Sequence, residues 1–355
     1  PTRARGPTHR LPQAGTFEVG TMLYVDKHRP HSFDKFIINK EIASNLKKLV
    51  ANGDCPHILF YGPSGAGKKT CVMSLLREMY GSGVEKLKVE NKPWKIDRPD
   101  RKMEIELTTV SSNFHVEMNP SDVGNQDRFI VQEIIKDMAR NRPLDVQGQK
   151  GFKVLVLNEV DKLTKDAQHS LRRTMEKYSG ACRLVMCCNN ISKVLDAVKS
   201  RCLNVRIGAP TVPQICDVIQ HVADKEHIQV PPAFGARIAE NSERNLRRAL
   251  LSLEACKVQQ YPFQEGQAVE AMDWEMYVTE IANDILGEQN PKRLFLVRGK
   301  LYELLINCIP PEVILRKLLL ELMKKLDSEL KHEAAHWAAF YEHRLQSGQK
   351  PIFHL

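Results

Sequence analysis

Gly62-Pro63-Ser64-Gly65-Ala66-Gly67-Lys68-Lys69-Thr70 decides the reading of this chain. Before it lies a short apolar run of strand length, Pro56-His-Ile-Leu-Phe-Tyr61. After it, the apolar residues of 70–79 recur at helical spacing. A glycine-rich loop between a strand and a helix lets backbone N–H groups turn inward around phosphate oxygens, and the helix dipole adds partial positive charge. Residues 62–68 therefore read as a phosphate cradle, with Lys68 supplying a full charge to β- and γ-phosphates. The next position normally carries the Ser or Thr that helps hold Mg²⁺. Here it is Lys69, which cannot ligate a cation and whose charge opposes one. Thr70 comes one residue late, rotated about 100° around the helix.

A second apolar run, Lys153-Val-Leu-Val-Leu157, is followed by Asn158-Glu159-Val160-Asp161. P-loop ATPases place Asp-Glu here, the Asp holding the metal and the Glu orienting or deprotonating water. Asn158 keeps the shape and loses the charge, while Glu159 remains. Both departures weaken metal binding. The residues thus predict a site for ATP or ADP with little to hold Mg²⁺, no dedicated metal site, and slow or absent hydrolysis.

The chain has 355 residues, enough for two or three domains. Its 52 Lys and Arg exceed 43 Asp and Glu, for a net charge of +9. That balance favours an acidic partner such as nucleic acid, and it is also common in plain globular proteins. The nine Cys are scattered with no Cys-x-x-Cys pair. This argues against a disulfide framework or structural zinc and for a reducing compartment. No apolar run approaches membrane-spanning length. Residues 1–21, basic and free of acids before Glu18, read as a disordered leader before a start at Met22, with an organelle transit segment as the alternative.

From about Val25 to Ile207, strand-like runs (56–61, 103–110, 114–118, 153–157, 183–188, 203–207) alternate with helical patterns. This is the pattern of an α/β domain, a parallel sheet with helices on both faces. Residues 91–102 read as an exposed loop between strands. Ala209-Pro210 and Pro213 break the pattern, and 211–262 reads as a small helical unit. A third, helical segment starts at Trp274, with Pro310-Pro311 separating two long helices. In the second, Val313, Ile314, Leu318, Leu322 and Leu326 form an apolar stripe, which suits an intramolecular bundle or an oligomer collar equally. The expected domains are 22–208, 209–270 and 271–355.

The order of these pieces resembles the replication factor C small subunits, the AAA+ clamp loaders of eukaryotes, from Val25 to the end. The resemblance is carried by Val25-Asp-Lys-His-Arg29-Pro30, by the loop from Gly62 to Lys69, and by the altered Asn158-Glu159-Val-Asp161 box. Leu171-Arg172-Arg173-Thr-Met-Glu176, Cys188-Asn189, Ser200-Arg201-Cys202 and Arg247 complete it. Tyr24 stands where the family usually has Trp. Gly-Lys-Lys-Thr together with Asn-Glu-Val-Asp is most similar to the subunit 3 type, called subunit 5 in budding yeast.

The resemblance implies an AAA+ P-loop domain, a helical lid and an all-helical collar. It implies that Val25, Arg29 and Pro30 lie against the nucleotide base, that Asn189 senses the γ-phosphate, and that Arg247 reaches phosphates from the lid. Arg201 would point out of its own subunit to the γ-phosphate held by a neighbour, where a planar guanidinium suits a transferring phosphoryl group. Without the family, Arg201 would read as a surface ion pair, Asn189 as a strand-end turn and Arg247 as a solvated helix charge. Lys193, Arg128 and Lys136 are candidate DNA-backbone contacts, with solvated helix charges as the plain reading. Where the family usually has an Arg soon after Asp122, Val123-Gly124 follows here. The implied partners are the large subunit and three other small subunits, the PCNA sliding clamp and primer–template DNA, in the nucleus and with no membrane. The competing readings are a self-sufficient P-loop ATPase or small-molecule kinase, and a structural adaptor with a vestigial nucleotide.

Overall fold

The computed structural model describes residues 22–51, 55–97, 102–140, 152–264, 266–269, 271–348 and 350–355. The expected leader lies outside the described residues. The chain divides into two compact units, one ending at Val269 and the other following it.

In the first unit the order is α1 (Tyr24–Lys27), α2 (Lys40–Ala51), β1 (Ile58–Tyr61), α3 (Lys68–Tyr80), β2 (Lys88–Asp97) and β3 (Lys102–Ser111). Then come β4 (His115–Met118), α4 (Asp127–Arg140), β5 (Lys153–Leu157), α5 (Lys165–Lys177), β6 (Cys182–Cys188), α6 (Asp196–Lys199) and β7 (Leu203–Arg206). The strands form one sheet in the order β2-β3-β4-β5-β6-β1-β7. β4, β5, β6, β1 and β7 run parallel.

Strand alternation splits the apolar runs between two cores. Leu59, Leu155, Leu157, Leu184 and Met186 face Ile130 and Ile134 of α4 and Leu171 and Met175 of α5. Ile58, Phe60, Val154, Val156 and Val185 face Leu46 and Val50 of α2 and Val72, Leu75 and Leu76 of α3. Burial on both faces is why these strands read as unbroken apolar runs rather than alternating ones. Each such side chain contributes about 1.5–3 kcal/mol on burial.

The expected loop at 91–102 is instead ladder. Residues 91–97 continue β2, which pairs antiparallel with β3 from Lys88↔Ser111 to Asp97↔Lys102, while 98–101 lie outside the described residues. β3 in turn pairs antiparallel with β4. The sheet is therefore mixed, not wholly parallel. An edge ribbon needs no continuous apolar run, and Pro93 is tolerated on the outermost strand, so polarity and proline disguised it. Ser112 Oγ accepts from the backbone N–H of Phe114 and His115 at 3.3 and 3.1 Å, turning β3 into β4.

The same unit continues into three helices, α7 (Val212–Glu226), α8 (Pro232–Asn241) and α9 (Leu246–Gln259). Thr211 and Gln214 form a capping box at the start of α7, and Asn245 caps α9 through Arg248 N at 3.2 Å. These helices share a core of Ile215, Ile219, Phe234, Ile238 and Leu253 that also takes in Tyr24. Tyr24 N donates to Glu254 Oε2 at 3.0 Å, and Lys257 Nζ donates to its hydroxyl at 2.5 Å. Arg244 donates to the carbonyls of Ala209 and Pro210, both at 3.0 Å, fastening the α8–α9 turn to the connecting segment.

The second unit comprises α10 (Asp273–Gly287), α11 (Pro291–Ile306), α12 (Pro311–Met323) and α13 (Ser328–Ser347). Prolines at the first turns of α11 and α12 start those helices where a missing N–H is harmless. Val278, Ile281, Leu301, Leu304, Ile314 and Leu318 form its core. Of the expected stripe, Ile314 and Leu318 are buried and Leu322 packs against them, while Val313 is exposed. Among the described residues no helix is long and apolar enough to cross a membrane.

Candidate nucleotide site

The parallel strands end along one edge, which brings the loops after them together. Tyr61 is in register with Cys188, Leu157 with Met186, and Met118 with Leu157. Gly62, Asn189, Asn158 and Asn119 therefore emerge side by side, at the carboxyl edge where ligands bind in open α/β sheets. They open onto a cleft of about 640 Å³ roofed by the lid helices. Ser64, Gly65, Ala66, Gly67, Lys68, Lys69, Thr70, Glu159 and Asn189 line it, with Arg247 from α9 and Val25, Arg29 and Pro30 from the N-terminal segment.

Lys68 begins α3, and its ammonium donates to the Gly62 and Pro63 carbonyls at 2.8 Å each and to Asn189 Oδ1 at 2.7 Å. Those three acceptors are neutral, so the charge stays available to an anion. Burial lowers the Lys68 pKa from its ordinary value, with nearby Asp161 and Glu159 opposing. Gly67, at φ 95°, caps α3 without any side-chain acceptor, and a Cβ there would meet nothing within 4 Å. The first-turn N–H groups of α3 thus have no side-chain cap and no acid in that turn. The residues fit a nucleotide's phosphates. When bound, such a nucleotide supplies the phosphoanhydride charge that this corner reads. Gly62 and Pro63 contribute backbone carbonyls to holding Lys68.

Magnesium fits poorly. Lys69 Nζ lies 2.6 Å from Glu117 Oε1, and Asn158 Nδ2 donates to the same oxygen at 2.7 Å. Glu117, at the end of β4, is 6% exposed. An ammonium and an amide N–H₂ already share one oxygen of this carboxylate, and neither can ligate a cation. Burial pushes His115, two residues earlier, below its ordinary value, with Glu117 opposing that shift. Cys187 and Cys188 line the cleft as thiols pushed up to about 12 and about 11 by burial, which keeps them protonated and inert. Glu159 sits in the left-handed region at φ 52° and is paired with Lys162 at 2.8 Å.

The other predicted residues lie elsewhere. Arg201 is not among the cleft-lining residues. Its guanidinium grips Glu176 at 2.5 and 2.7 Å and donates to the Ala197 carbonyl at 2.8 Å, so two motifs of the sequence meet in one ion pair. Lys193 is exposed on a 3₁₀ turn, Ile191–Lys193. Arg128 is exposed in the first turn of α4, over the Phe129 ring. Lys136 is half-buried and paired with Glu133 at 2.6 Å.

Sequence reasoning missed Glu117, whose only signal was an acid inside an otherwise apolar strand run. It also missed the lid clasp. Glu226 pairs with Lys27 at 2.7 Å and with His28 at 2.5 Å, joining the N-terminal segment to α7. The Lys27 hydrogen bond first, then His28, hold Glu226 below its ordinary value against the opposing effect of burial.

Family profiles match three stretches of the chain. "Replication factor C subunit 3, C-terminal domain" covers 274–355, "RCF1/5-like, AAA+ ATPase lid domain" covers 217–258, and "DNA polymerase III, delta subunit" covers 38–211. Replication factor C subunit 3 of Arabidopsis thaliana is 65% identical over 94% of both chains. Replication factor C subunit 5 of Oryza sativa is 64% identical over the same shares, and the Homo sapiens subunit 3 is 54% identical over 94% of this chain and 93% of its own. Among solved structures, a Thermotoga maritima RuvB variant superposes with a TM-score of 0.50 at 15% identity, covering 73% of this chain and 80% of its own, a likeness of fold alone. With 54–65% identity to these relatives over 94% of its length, this chain belongs to the replication factor C small-subunit family of AAA+ ATPases.

Proposed function

We propose that this chain is a subunit of the heteropentameric replication factor C clamp loader, which uses ATP to open PCNA and set it on primer–template DNA in the nucleus. In that role it holds ATP or ADP in its cleft and hydrolyses it poorly or not at all. It works in trans, through Arg201 on the γ-phosphate bound by a neighbouring subunit. Its partners are the large subunit and three other small subunits, the clamp, and the DNA backbone. Residues 22–208 serve as the ATPase domain, 209–270 as the lid and 271–355 as the collar that binds neighbours.

The observation that carries this reading is an intact phosphate cradle beside a corner where Lys69 and Asn158 take up Glu117. A self-sufficient kinase or ATPase needs a dication at that corner. Lys68 and the first turn of α3 bind phosphate, Asn189 positions Lys68, and Arg247 approaches from the lid. Arg201 rests on Glu176, an exposed carboxylate that exchanges readily for a phosphate oxygen. Lys193 and Arg128, both exposed, are the better-placed DNA contacts, since the ammonium of Lys136 already has Glu133.

The test is a reconstituted complex carrying Arg201→Ala. Its DNA-stimulated ATP turnover and clamp loading fall while nucleotide binding by this chain persists. Unchanged turnover and loading would remove the role in trans.

A further inference from the structure

Three residues that the phosphate cradle does not use converge beside it. Lys69 comes from the second position of α3, Asn158 from the end of β5, and Glu117 from the end of β4. Lys69 and Asn158 both line the cleft. Glu117 Oε1 receives the Lys69 ammonium at 2.6 Å and the Asn158 amide at 2.7 Å. Glu117 is nearly buried, whereas the Lys69 side chain is 54% exposed. One end of the pair is therefore fixed in the fold and the other faces the cleft. An ammonium has three donors. The contact with Glu117 uses one and leaves the others for phosphate oxygens. A buried carboxylate alone would repel a polyphosphate, and the Lys69 charge cancels that repulsion.

We propose that Lys69 is a tethered replacement for the dication. It bridges Glu117 and the phosphates of a nucleoside di- or triphosphate, so that this chain binds its nucleotide without Mg²⁺. Asn158 supports the bridge by holding Glu117 in place without adding a second negative charge. This rests on the reading of the cleft as a nucleotide site.

Titrating the full chain with ADP, and separately with ATP, in excess Mg²⁺ and in EDTA tests it. The two media give dissociation constants that agree within about threefold. Loss of affinity in EDTA by more than roughly tenfold overturns the proposal. Lys69→Met/Glu117→Gln keeps the corner neutral and spares the fold a lone buried charge. It weakens metal-free ADP binding by roughly tenfold, and wild-type affinity in this variant would overturn the proposal. Lys69→Ser/Asn158→Asp restores a hydroxyl and a carboxylate, and its ADP affinity rises by roughly tenfold when Mg²⁺ is added. A variant of this kind that ignores Mg²⁺ argues against the substitution. Lys68→Ala separates the two readings. If wild type and Lys68→Ala both fail to bind in either medium, the nucleotide site itself is wrong and the bridge falls with it. If wild type binds only with Mg²⁺ and Lys68→Ala does not bind, the site stands and the bridge alone is wrong.

Discussion

Lys69 and Arg201 each hold a carboxylate, and the two ion pairs behave as opposites. Glu117, under Lys69, is 8% exposed at its side chain and is gripped a second time by Asn158. Glu176, under Arg201, is 54% exposed at its side chain. A buried carboxylate stripped of its partner destabilises the fold, whereas an exposed pair contributes about 0–1 kcal/mol and can be exchanged. The first charge is anchored within the chain at one end and open to the cleft at the other. The second lies at the surface, where the proposed role in trans would exchange Glu176 for a phosphate oxygen. The same charge chemistry thus gives one pair anchored on a buried acid and one on an exposed acid.

The largest effect that could break this contrast is kinetic. Arg201→Ala in the assembled complex lowers turnover at the site it serves by roughly 10³-fold, about 4 kcal/mol of barrier, read in steady-state ATPase assays. The same substitution shifts the denaturant-unfolding free energy of the chain by less than about 1 kcal/mol. A large stability loss would show that Arg201 is committed after all.

Next in size is the cradle. Lys68→Ala weakens ADP binding about a hundredfold, ~2.7 kcal/mol, by titration calorimetry. Then comes the corner itself. Lys69→Met costs about 1–2 kcal/mol of unfolding free energy, because Glu117 is left with one neutral donor. Adding Glu117→Gln recovers most of that loss, and a double-mutant cycle measures the coupling. An additive cycle would place Lys69 with Arg201 rather than against it.

The smallest effect concerns acid. The hydrogen bond from Lys27, with His28, depresses Glu226 below its ordinary value of 4.5. Its contribution to stability is full above that value and is lost as pH falls through the depressed one. Urea midpoints therefore decline on that acid limb, and Glu226→Gln flattens the decline. An unchanged limb would mean that the clasp is as loosely held as the Arg201 pair.

The cradle and the sheet core were legible because short-range spacing and doubly buried strands leave strong local patterns. Residues 62–68 between an apolar run and a helical one needed no tertiary information. Glu117 was not legible, because its meaning depends on β4 lying beside β5 in register, which aligns it with Val156. The edge ribbon at 88–97 was hidden for the opposite reason. A strand with one neighbour carries no continuous apolar signature. Tyr24, noted in the sequence only as a replacement for the family's Trp, is buried with the lid helices, a long-range choice that no spacing records. The Arg201–Glu176 pair joins residues from two separately recognised motifs, and only folding reveals that they touch.

Asn245 caps α9 with its Oδ1, and that same oxygen lies 1.8 Å from where a side chain on Gly65 would begin. Gly65, at φ 74°, is thus the bare spot on which the helical roof rests. The Cγ and Nδ2 of the same amide would lie 2.3 and 2.9 Å from that Cβ, so the whole Asn245 side-chain end covers the loop there. Any residue larger than glycine at this position would have to push the loop and the first turn of α9 apart.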